Sequence, residues 1–218
     1  MVVNKPKDMT SHDVVDYVRR QLGIRRVGHA GTLDPFATGV LVILIGRFTK
    51  YFGRFLGWDK EYAATLTLGA KTTTADITGR IIQAEEPGQI SEENIREALA
   101  YFQGEIQQVP PMYSALKYKG RPLYAWARQG IEVQRQARKV RIKELRLLKF
   151  SPPQIQFYLQ CSSGTYVRSL GEEISQKLGC LGYLSALERQ SVGPFHIHQA
   201  IALSKINPDA IIDTFDGV

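Results

Sequence analysis

Residues 28–46, GHAGTLDPFATGVLVILIG, carry the strongest strand pattern in the chain and a glycine-rich segment before it. The second half of this stretch places six consecutive apolar residues, Val40–Ile45, between two glycines. A run of this length, rich in Val and Ile, predicts a strand that is buried on both faces. Its first half holds a single carboxylate, Asp34, among glycines, threonines and a proline. The segment therefore predicts a tight turn that carries one acid and leads into a core strand.

Helical and strand patterns follow one another along the rest of the 218 residues. Four segments carry apolar residues at helical spacing, with capping residues or glycines at their ends: 10–23, 91–104, 121–130 and 169–179. Three others read as strands: 62–72, 139–150 and 154–161. We therefore predict an α+β fold with a large sheet.

Positive charge is concentrated in one part of the sequence. The chain has a net charge of +7 and a pI near 9.4. Residues 117–149 hold eleven Lys or Arg against two Glu, a balance of +9, so the rest of the chain sums to −2. Tyr118, Tyr124 and Trp126 are interleaved with these cations. A solvated surface would explain the charge alone, but cations mixed with aromatic rings favour a nucleic acid partner, whose phosphates and bases they bind.

Composition limits the class of protein. With 44% hydrophobic residues, the chain can bury one sizeable core. The run Val40–Ile45 is too short to span a bilayer, and residues 1–10 lack the core of a signal peptide. Neither the two cysteines, Cys161 and Cys180, nor the four histidines show metal-ligand spacing. We therefore predict a reduced, cytoplasmic protein without a metal or other cofactor, and we expect a monomer.

The turn around Asp34 is the first candidate site. Aspartate followed by proline is also a common turn pair, so a structural explanation is available for Asp34 alone. The glycines at 28, 31 and 39 favour a functional explanation, because they remove side chains where a bulky molecule could approach the backbone. A carboxylate presented in this way is a candidate nucleophile.

Two further candidates lie elsewhere in the chain. The segment SGTYVRSL, residues 163–170, follows a predicted strand and delivers Tyr166 and Arg168, which would point to the same side if the strand continued. Tyr62 lies at the start of another predicted strand. Taken alone, the first segment is better explained as the end of a strand with one exposed arginine, and Tyr62 as an ordinary half-buried aromatic residue of a strand.

Taken together, these segments resemble the TruB family of pseudouridine synthases, which modify the T-loop of tRNA. GHAGTLDPFATGVL, residues 28–41, resembles the catalytic motif of that family. The likeness covers nearly the whole chain and includes five other segments: 4–15, 60–69, 76–79, 108–133 and 162–180. It implies a pseudouridine synthase catalytic fold, with a large, mixed, mainly antiparallel sheet flanked by helices and an inserted basic thumb lobe.

The resemblance implies catalytic roles for three residues. Asp34 would be the catalytic aspartate, and Arg168 would pair with it and keep it ionised. Tyr62 would stack under the target uracil, close to the atom that loses its proton.

It also implies substrate-binding roles for four residues. Tyr166 would wall the base pocket, and Leu187 would contact the edge of the base. His29 would occupy the space left when the base swings out. Lys5 belongs to a Lys-Pro motif of the family and is expected at the substrate site.

The basic segment matches the RNA-gripping thumb of the family. We place this lobe around residues 105–150, and six of its cations are expected to bind RNA: Lys117, Lys119, Arg121, Arg138, Lys139 and Arg141. The lobe would be inserted in a single catalytic domain, residues 1–218. Bacterial members usually carry a C-terminal RNA-binding PUA-type domain, and we expect none in this chain.

The implied reaction turns uridine 55 of tRNA into pseudouridine. The uridine flips out, its N1–C1′ bond breaks, and the base rejoins the sugar through C5. One carboxylate suits this reaction, because a second acid would help to bring in water. A non-catalytic RNA-binding protein on the same scaffold would be expected to lack Asp34, Tyr62 or Arg168, and all three are present. A guide-RNA-dependent synthase would have less need of its own basic lobe.

Overall fold

The computed structural model describes residues 1–211, which form thirteen strands and five α-helices. The helices are α1 (Ser11–Leu22), α2 (Phe52–Leu56), α3 (Glu92–Tyr101), α4 (Leu123–Ala127) and α5 (Val167–Lys177). The strands are β1 (Val2–Lys5), β2 (Val27–His29), β3 (Thr38–Ile45), β4 (Lys60–Leu68), β5 (Ala70–Thr72), β6 (Ile81–Ala84), β7 (Gly104–Gln108), β8 (Lys117–Tyr118), β9 (Arg121–Pro122), β10 (Arg138–Ser151), β11 (Gln154–Cys161), β12 (Gly182–Val192) and β13 (Phe195–His196).

The chain divides into two compact units. Unit 1 comprises Met1–Ala63 and the chain from Leu187 onward, and unit 2 comprises Ala64–Ala186. Strands β4 and β12 each contribute residues to both units. The fold is mixed α/β with a large, mostly antiparallel sheet, which confirms the predicted fold class.

The core of unit 1 forms around β3. This strand lies between β1, which pairs with it in antiparallel fashion, and β12, which pairs with it in parallel. Leu41 and Ile43 join the apolar cluster that includes α1. Val42 and Leu44 join a second cluster, which includes Phe55 of α2. Strand β3 is therefore buried on both faces, as its continuous apolar run predicts.

Helix α1 begins and ends where the sequence predicts. The Thr10 hydroxyl accepts a hydrogen bond from the Asp13 N–H at 3.1 Å, and the Asp13 carboxylate accepts one from the Thr10 N–H at 2.8 Å. This reciprocal capping box satisfies N–H groups that the first turn of a helix leaves without partners. Gly23 ends the helix with a φ of 66°, a conformation that glycine adopts without strain.

Unit 2 is built on the strand order β12-β4-β11-β10-β7. Strands β10 and β11 form a long antiparallel hairpin, and alternate residues of β11, Ile155, Phe157 and Leu159, are fully buried. Helix α5 lies close to the sheet at Gly171, where an added Cβ would stand 3.0 Å from the Leu184 side chain. This close approach positions the start of α5 against the sheet.

Part of the basic block belongs to this core. The sequence predicts a strand over residues 139–150, and β10 confirms it. Strand β10 pairs with both β7 and β11, and its Val140, Ile142 and Leu145 side chains are buried. Apolar residues alternate with cations along the strand, so that charge and core packing occupy opposite faces. The inserted RNA-binding lobe around residues 105–150 stays a prediction. Strands β8 and β9 and helix α4 lie in the segment between β7 and β10.

The start of α5 also corrects the sequence analysis. A strand continuing through residues 163–170 would place Tyr166 and Arg168 on one side. Strand β11 ends at Cys161, Tyr166 caps α5, and Arg168 lies in the first helical turn. Ser163 and Gly164 form the turn that ends the strand pattern.

Candidate active site

In unit 1, Asp34 lies on the turn between β2 and β3, which we call the Asp34 turn (residues 30–37). The Asp34 carbonyl accepts a hydrogen bond from the Ala37 N–H at 3.1 Å. Leu33 and Phe36 are each 3% exposed and anchor the turn in the core on both sides of Asp34. The Ser11 hydroxyl accepts from the Leu33 N–H at 2.9 Å and donates to the Leu33 carbonyl at 3.2 Å. The backbone around Asp34 is therefore fixed to the start of α1.

Lys5 supports the same turn from β1. Its ammonium group donates to the carbonyls of Pro6, Met9 and Pro35 at 2.8, 2.6 and 3.2 Å, and the residue is fully buried. Burial lowers the pKa of Lys5 to about 8, although the Asp34 carboxylate acts to raise it. The three N–H donors of Lys5 are directed at main-chain carbonyls of the protein. Its role in binding substrate stays a prediction.

Arg189 of β12 is a residue of the site that the sequence analysis missed. Its guanidinium is 1% exposed and donates to the carbonyls of Val40, Gly31 and Thr32 at 2.7, 3.1 and 3.4 Å. The sequence indicates that Arg189 points inward. It stands two residues after the apolar Leu187 in the same strand, and residues two positions apart in a strand lie on the same face.

The glycines around Asp34 have a different use from the one predicted. Gly39 has a φ of 103°, and an added Cβ would stand 2.3 Å from the Arg189 carbonyl oxygen. Gly31 has a φ of 101°, and an added Cβ would stand 3.7 Å from the Arg189 guanidinium. These positions therefore allow β12 and its arginine to approach the turn. The prediction that the glycines clear room for a substrate is wrong for Gly39, since the protein's own backbone fills that space.

The remaining predicted residues of unit 1 lie on the neighbouring strands. Tyr62 is the third residue of β4 and is 8% exposed, and Leu187 of β12 is 6% exposed. His29 ends β2 next to the Asp34 turn. Burial lowers the pKa of His29 to about 4, and the positive charges of His12 and Arg189 add to this effect. His29 is therefore a neutral imidazole at pH 7.

Arg168 lies in unit 2, where it is 4% exposed and held by several groups. Its two terminal nitrogens donate to the carbonyls of Thr74 and Tyr113 at 2.8 and 2.7 Å. Its Nε lies 3.6 Å from the Asp76 carboxylate. A guanidinium presents its donors in a rigid, planar arrangement, whereas the ammonium group of a lysine is a compact charge on a flexible chain.

Asp76 is a second residue that the sequence analysis did not assign. It is 4% exposed, and one of its oxygens accepts hydrogen bonds from the Thr74 hydroxyl at 2.8 Å and from the N–H and hydroxyl of Thr78. The other oxygen faces Arg168. In the sequence analysis, residues 76–79 serve only as part of the family resemblance. The pattern that could have identified Asp76 is an aspartate whose side chain hydrogen-bonds the backbone of its own turn.

Tyr166 is fixed through its backbone. The Gln108 side chain accepts from the Tyr166 N–H at 2.7 Å and donates to the Tyr166 carbonyl at 3.1 Å. Gln108 is itself 1% exposed, at the end of β7. The predicted pairing of Arg168 with Asp34 and the roles of the predicted site residues stay predictions.

The six cations predicted to bind RNA form two groups. Lys117, Lys119 and Arg121 are exposed on the β8–β9 hairpin, and the other three, Arg138, Lys139 and Arg141, are exposed on β10. In the hairpin group, the Arg121 guanidinium lies 4.9 Å from the centre of the Trp126 ring, and the Lys119 ammonium lies 5.5 Å from that of Tyr118. Cations and rings are therefore presented together, as the sequence pattern indicates.

Within residues 1–211, no three His, Cys, Asp or Glu side chains are grouped so that they could hold a metal ion. Over the same range, none of the helices has the length and apolar character needed to cross a bilayer.

Comparison with known proteins defines the class to which this fold and these residues belong. Residues 19–167 match the family model for TruB family pseudouridylate synthases, N terminal domain. The chain therefore belongs to the TruB family of pseudouridylate synthases.

Individual relatives show how similar this chain is to named members of the family. The tRNA pseudouridine synthase B of Syntrophotalea carbinolica is 46% identical over 206 residues, which are 94% of this chain and 67% of the relative. The protein of the same name from Bordetella avium is 46% identical over 209 residues, or 94% and 85% of the two chains. Among solved structures, a Cbf5–Nop10–Gar1 complex contains a chain that matches with a TM-score of 0.73 and 29% identity over 93% of this chain. The match spans 52% of that chain.

Proposed function

We propose that this protein converts uridine 55, in the T-loop of tRNA, to pseudouridine. Relatives that are 46% identical over 94% of the chain are named tRNA pseudouridine synthase B. The observation that carries the proposal is the presentation of Asp34. It is the sole acid in residues 28–39, on a turn tied to the elements around it by Lys5, Ser11 and Arg189.

The proposed reaction conserves the atoms of the uridine. The N1–C1′ bond breaks, the base turns, and a C5–C1′ bond forms; C5 loses a proton and N1 gains one. Asp34 acts at the sugar, either by attacking C1′ or by stabilising the positive charge that develops there. No group is transferred from a donor and no electrons are exchanged, so the reaction requires no cofactor.

Arg168 and Tyr62 have supporting roles in this proposal. Arg168 would keep the catalytic carboxylate ionised, and Asp76 together with the carbonyls of Thr74 and Tyr113 would hold its guanidinium in position. Tyr62 would provide the flat surface on which the detached uracil turns. Tyr166, Leu187 and His29 would border the space that the flipped base occupies.

The exposed cations of the β8–β9 hairpin and β10 would bind the tRNA backbone. Their charge is not balanced locally, since residues 117–149 sum to +9. In the hairpin, the rings of Tyr118 and Trp126 lie beside cations and would contribute contacts to bases or riboses. A cytoplasmic location and a monomeric state belong to the same proposal.

A guide-RNA-dependent synthase is the main alternative, because the matched solved structures include a Cbf5–Nop10–Gar1 complex and an H/ACA RNP. Identity to those chains is 29% and 26%, whereas it is 46% to the proteins named tRNA pseudouridine synthase B. We therefore favour an enzyme that selects tRNA without a guide.

The experiment that tests the proposal uses the purified chain and an unmodified tRNA transcript, with no other RNA present. Pseudouridine is mapped by carbodiimide labelling and primer extension. We expect one new stop, at position 55, in tRNA and in an isolated T-arm hairpin. A protein that modifies neither RNA, or that requires a guide RNA, would overturn the proposal.

A further inference from the structure

The guanidinium of Arg189 is buried beneath the Asp34 turn. Three carbonyl groups surround it, and two of them, those of Gly31 and Thr32, belong to the turn itself. The third belongs to Val40, in the strand that follows the turn. Arg189 thus connects β12 to the chain on both sides of Asp34.

The backbone is shaped to allow this contact. Arg189 is paired with Gly39 where β12 runs parallel to β3, and Gly39 has no side chain that would keep the two strands apart. Gly31 likewise has no Cβ between its backbone and the guanidinium. Both glycines have a positive φ, which other residues rarely adopt.

A buried cation is a costly way to stabilise a fold. An apolar side chain of similar volume often serves a core as well or better, because it carries no desolvation penalty. At this position, however, an apolar residue would leave the carbonyls of Gly31, Thr32 and Val40 without the donors that now satisfy them. A guanidinium is the side chain that can satisfy several acceptors in a fixed geometry.

The charge of Arg189 also acts on the groups around the turn. Lys5 of β1 and His29 of β2 both experience it, and Lys5 in turn experiences the Asp34 carboxylate. The other charged groups that act on this region are Asp8 and Asp13, which influence Lys5, and His12, which influences His29. Two fully buried cations, Lys5 and Arg189, therefore lie next to a turn that carries one acid.

We infer that Arg189 is a positioning residue for pseudouridine formation: its guanidinium, hydrogen-bonded to the carbonyls of Gly31, Thr32 and Val40, fixes the backbone on which Asp34 is presented. This inference rests on the proposed function. Arg189 acts through Asp34 and is not expected to bind the tRNA, because its side chain is buried.

Two substitutions test this role. Arg189→Met removes the hydrogen bonds but keeps much of the volume. Arg189→Lys keeps a buried cation with N–H donors but cannot satisfy three carbonyls in the same directions. The control is Val18→Ala in α1, which removes buried volume from the apolar cluster that contains Leu41 and Ile43 of β3; among the described residues, that cluster includes none of residues 30–37. Urea unfolding identifies the loss of stability that each variant suffers.

The measurements are the single-turnover rate of pseudouridine formation at saturating tRNA and the Kd for tRNA. We expect the rate to fall roughly tenfold to a hundredfold in Arg189→Met, since small displacements of a catalytic group have effects of this size. Arg189→Lys should be slowed less, because its ammonium group still donates to some of the carbonyls. The Kd should stay within about twofold of wild type in both, because phosphate contacts set most of the affinity.

Several results would overturn the inference. Single-turnover rates equal to that of Val18→Ala would assign Arg189 to stability alone, and so would the failure of both arginine variants to fold. If only the methionine variant fails to fold, the lysine variant decides, and an unchanged single-turnover rate overturns the inference. Wild-type protein without activity on tRNA would instead contradict the proposed function.

Discussion

At the scale of single residues, Asp34 is presented by side chains from three different elements. Lys5 of β1, Ser11 of α1 and Arg189 of β12 each hydrogen-bond to the backbone of the Asp34 turn. The carbonyl groups of a turn are not paired by the regular backbone hydrogen bonds of a sheet or helix. Buried N–H and O–H donors from elsewhere in the chain must therefore pair with them. The position of Asp34 is therefore a property of the whole of unit 1.

His29 makes the stability of the protein depend on pH. Its pKa is lowered by burial to about 4 from an ordinary 6.5, so the unfolded chain takes up the proton first. The contribution of His29 to the free energy of unfolding is therefore complete above pH 6.5 and falls as the pH drops towards 4. At pH 5 the protonation of His29 lowers the free energy of unfolding by about 2 kcal/mol.

The corresponding measurement is urea unfolding of wild type, His29→Gln and the control His198→Gln at pH 7 and pH 5. Between these pH values, His29→Gln should lose about 2 kcal/mol less stability than wild type. His198 is exposed, so its variant should follow wild type. Parallel losses in all three proteins would show that His29 is not buried as the structure describes.

At the scale of elements, the pairing of β3 with β12 determines where the Asp34 turn lies. Gly39→Ala should disrupt this pairing, because its Cβ would stand 2.3 Å from the Arg189 carbonyl oxygen. Gly46→Ala is a matched control: Gly46 follows the same strand, also has a positive φ, and has no atom within 4 Å of an added Cβ.

Urea unfolding measures both variants. Gly46→Ala should cost about 1 kcal/mol, from backbone strain alone. Gly39→Ala should cost roughly 3 kcal/mol or more, since overpacking against the backbone adds to the strain. Equal losses would mean that the two strands are not as close as described.

Most elements could be predicted from the sequence because local patterns determine them. Helix α1 carries its own capping residues, and β3 has an apolar run that suits only a strand covered on both faces. Strand β10 is also predicted correctly, because its apolar residues alternate with cations, although the cations dominate its composition. Periodicity is the better guide there.

The site could be predicted only in part, for a physical reason. Asp34, Tyr62 and Arg168 stand in recognisable segments of the sequence. Arg189 holds the Asp34 turn, Asp76 holds Arg168 and Gln108 holds Tyr166, through hydrogen bonds to residues 58 to 158 positions away or through a single long-range ion pair. A local pattern can place such a side chain on the inward face of a strand, as for Arg189, but it does not show which distant residue the side chain contacts.

For the molecule as a whole, the basic residues and the catalytic motif occupy different segments of the sequence, so we predict that affinity and chemistry can be altered independently. Arg138, Lys139 and Arg141 are exposed on β10. Their replacement by Gln should weaken tRNA binding. It should also make the plot of log K against log salt concentration less steep, by roughly 0.7 to 0.9 in slope for each phosphate contact that the variant loses. Neutral residues are preferable to acids, because Arg141 is paired with Glu105 in β7 and Lys139 lies 3.9 Å from its carboxylate.

Filter binding over a salt series makes the comparison. The control is the triple Gln variant of Lys143, Arg146 and Lys149, which removes the same charge from the other half of β10. Single-turnover rates at saturating tRNA should change little in either variant. Equal weakening by both would show that net charge, rather than this surface, determines the affinity.

The central claim is that this protein is a catalyst and that Asp34 carries out the reaction, and one measurement tests it most directly. Tritium release from tRNA labelled at C5 of uridine is followed for wild type and Asp34→Asn, with tRNA binding measured in parallel. We expect wild type to release one equivalent of tritium per tRNA, from position 55. The variant should bind tRNA about as well as wild type and release almost nothing, because its neutral amide can neither attack nor stabilise the sugar. Turnover by Asp34→Asn at more than about a few per cent of the wild-type rate would contradict the claim, since loss of an essential nucleophile costs orders of magnitude.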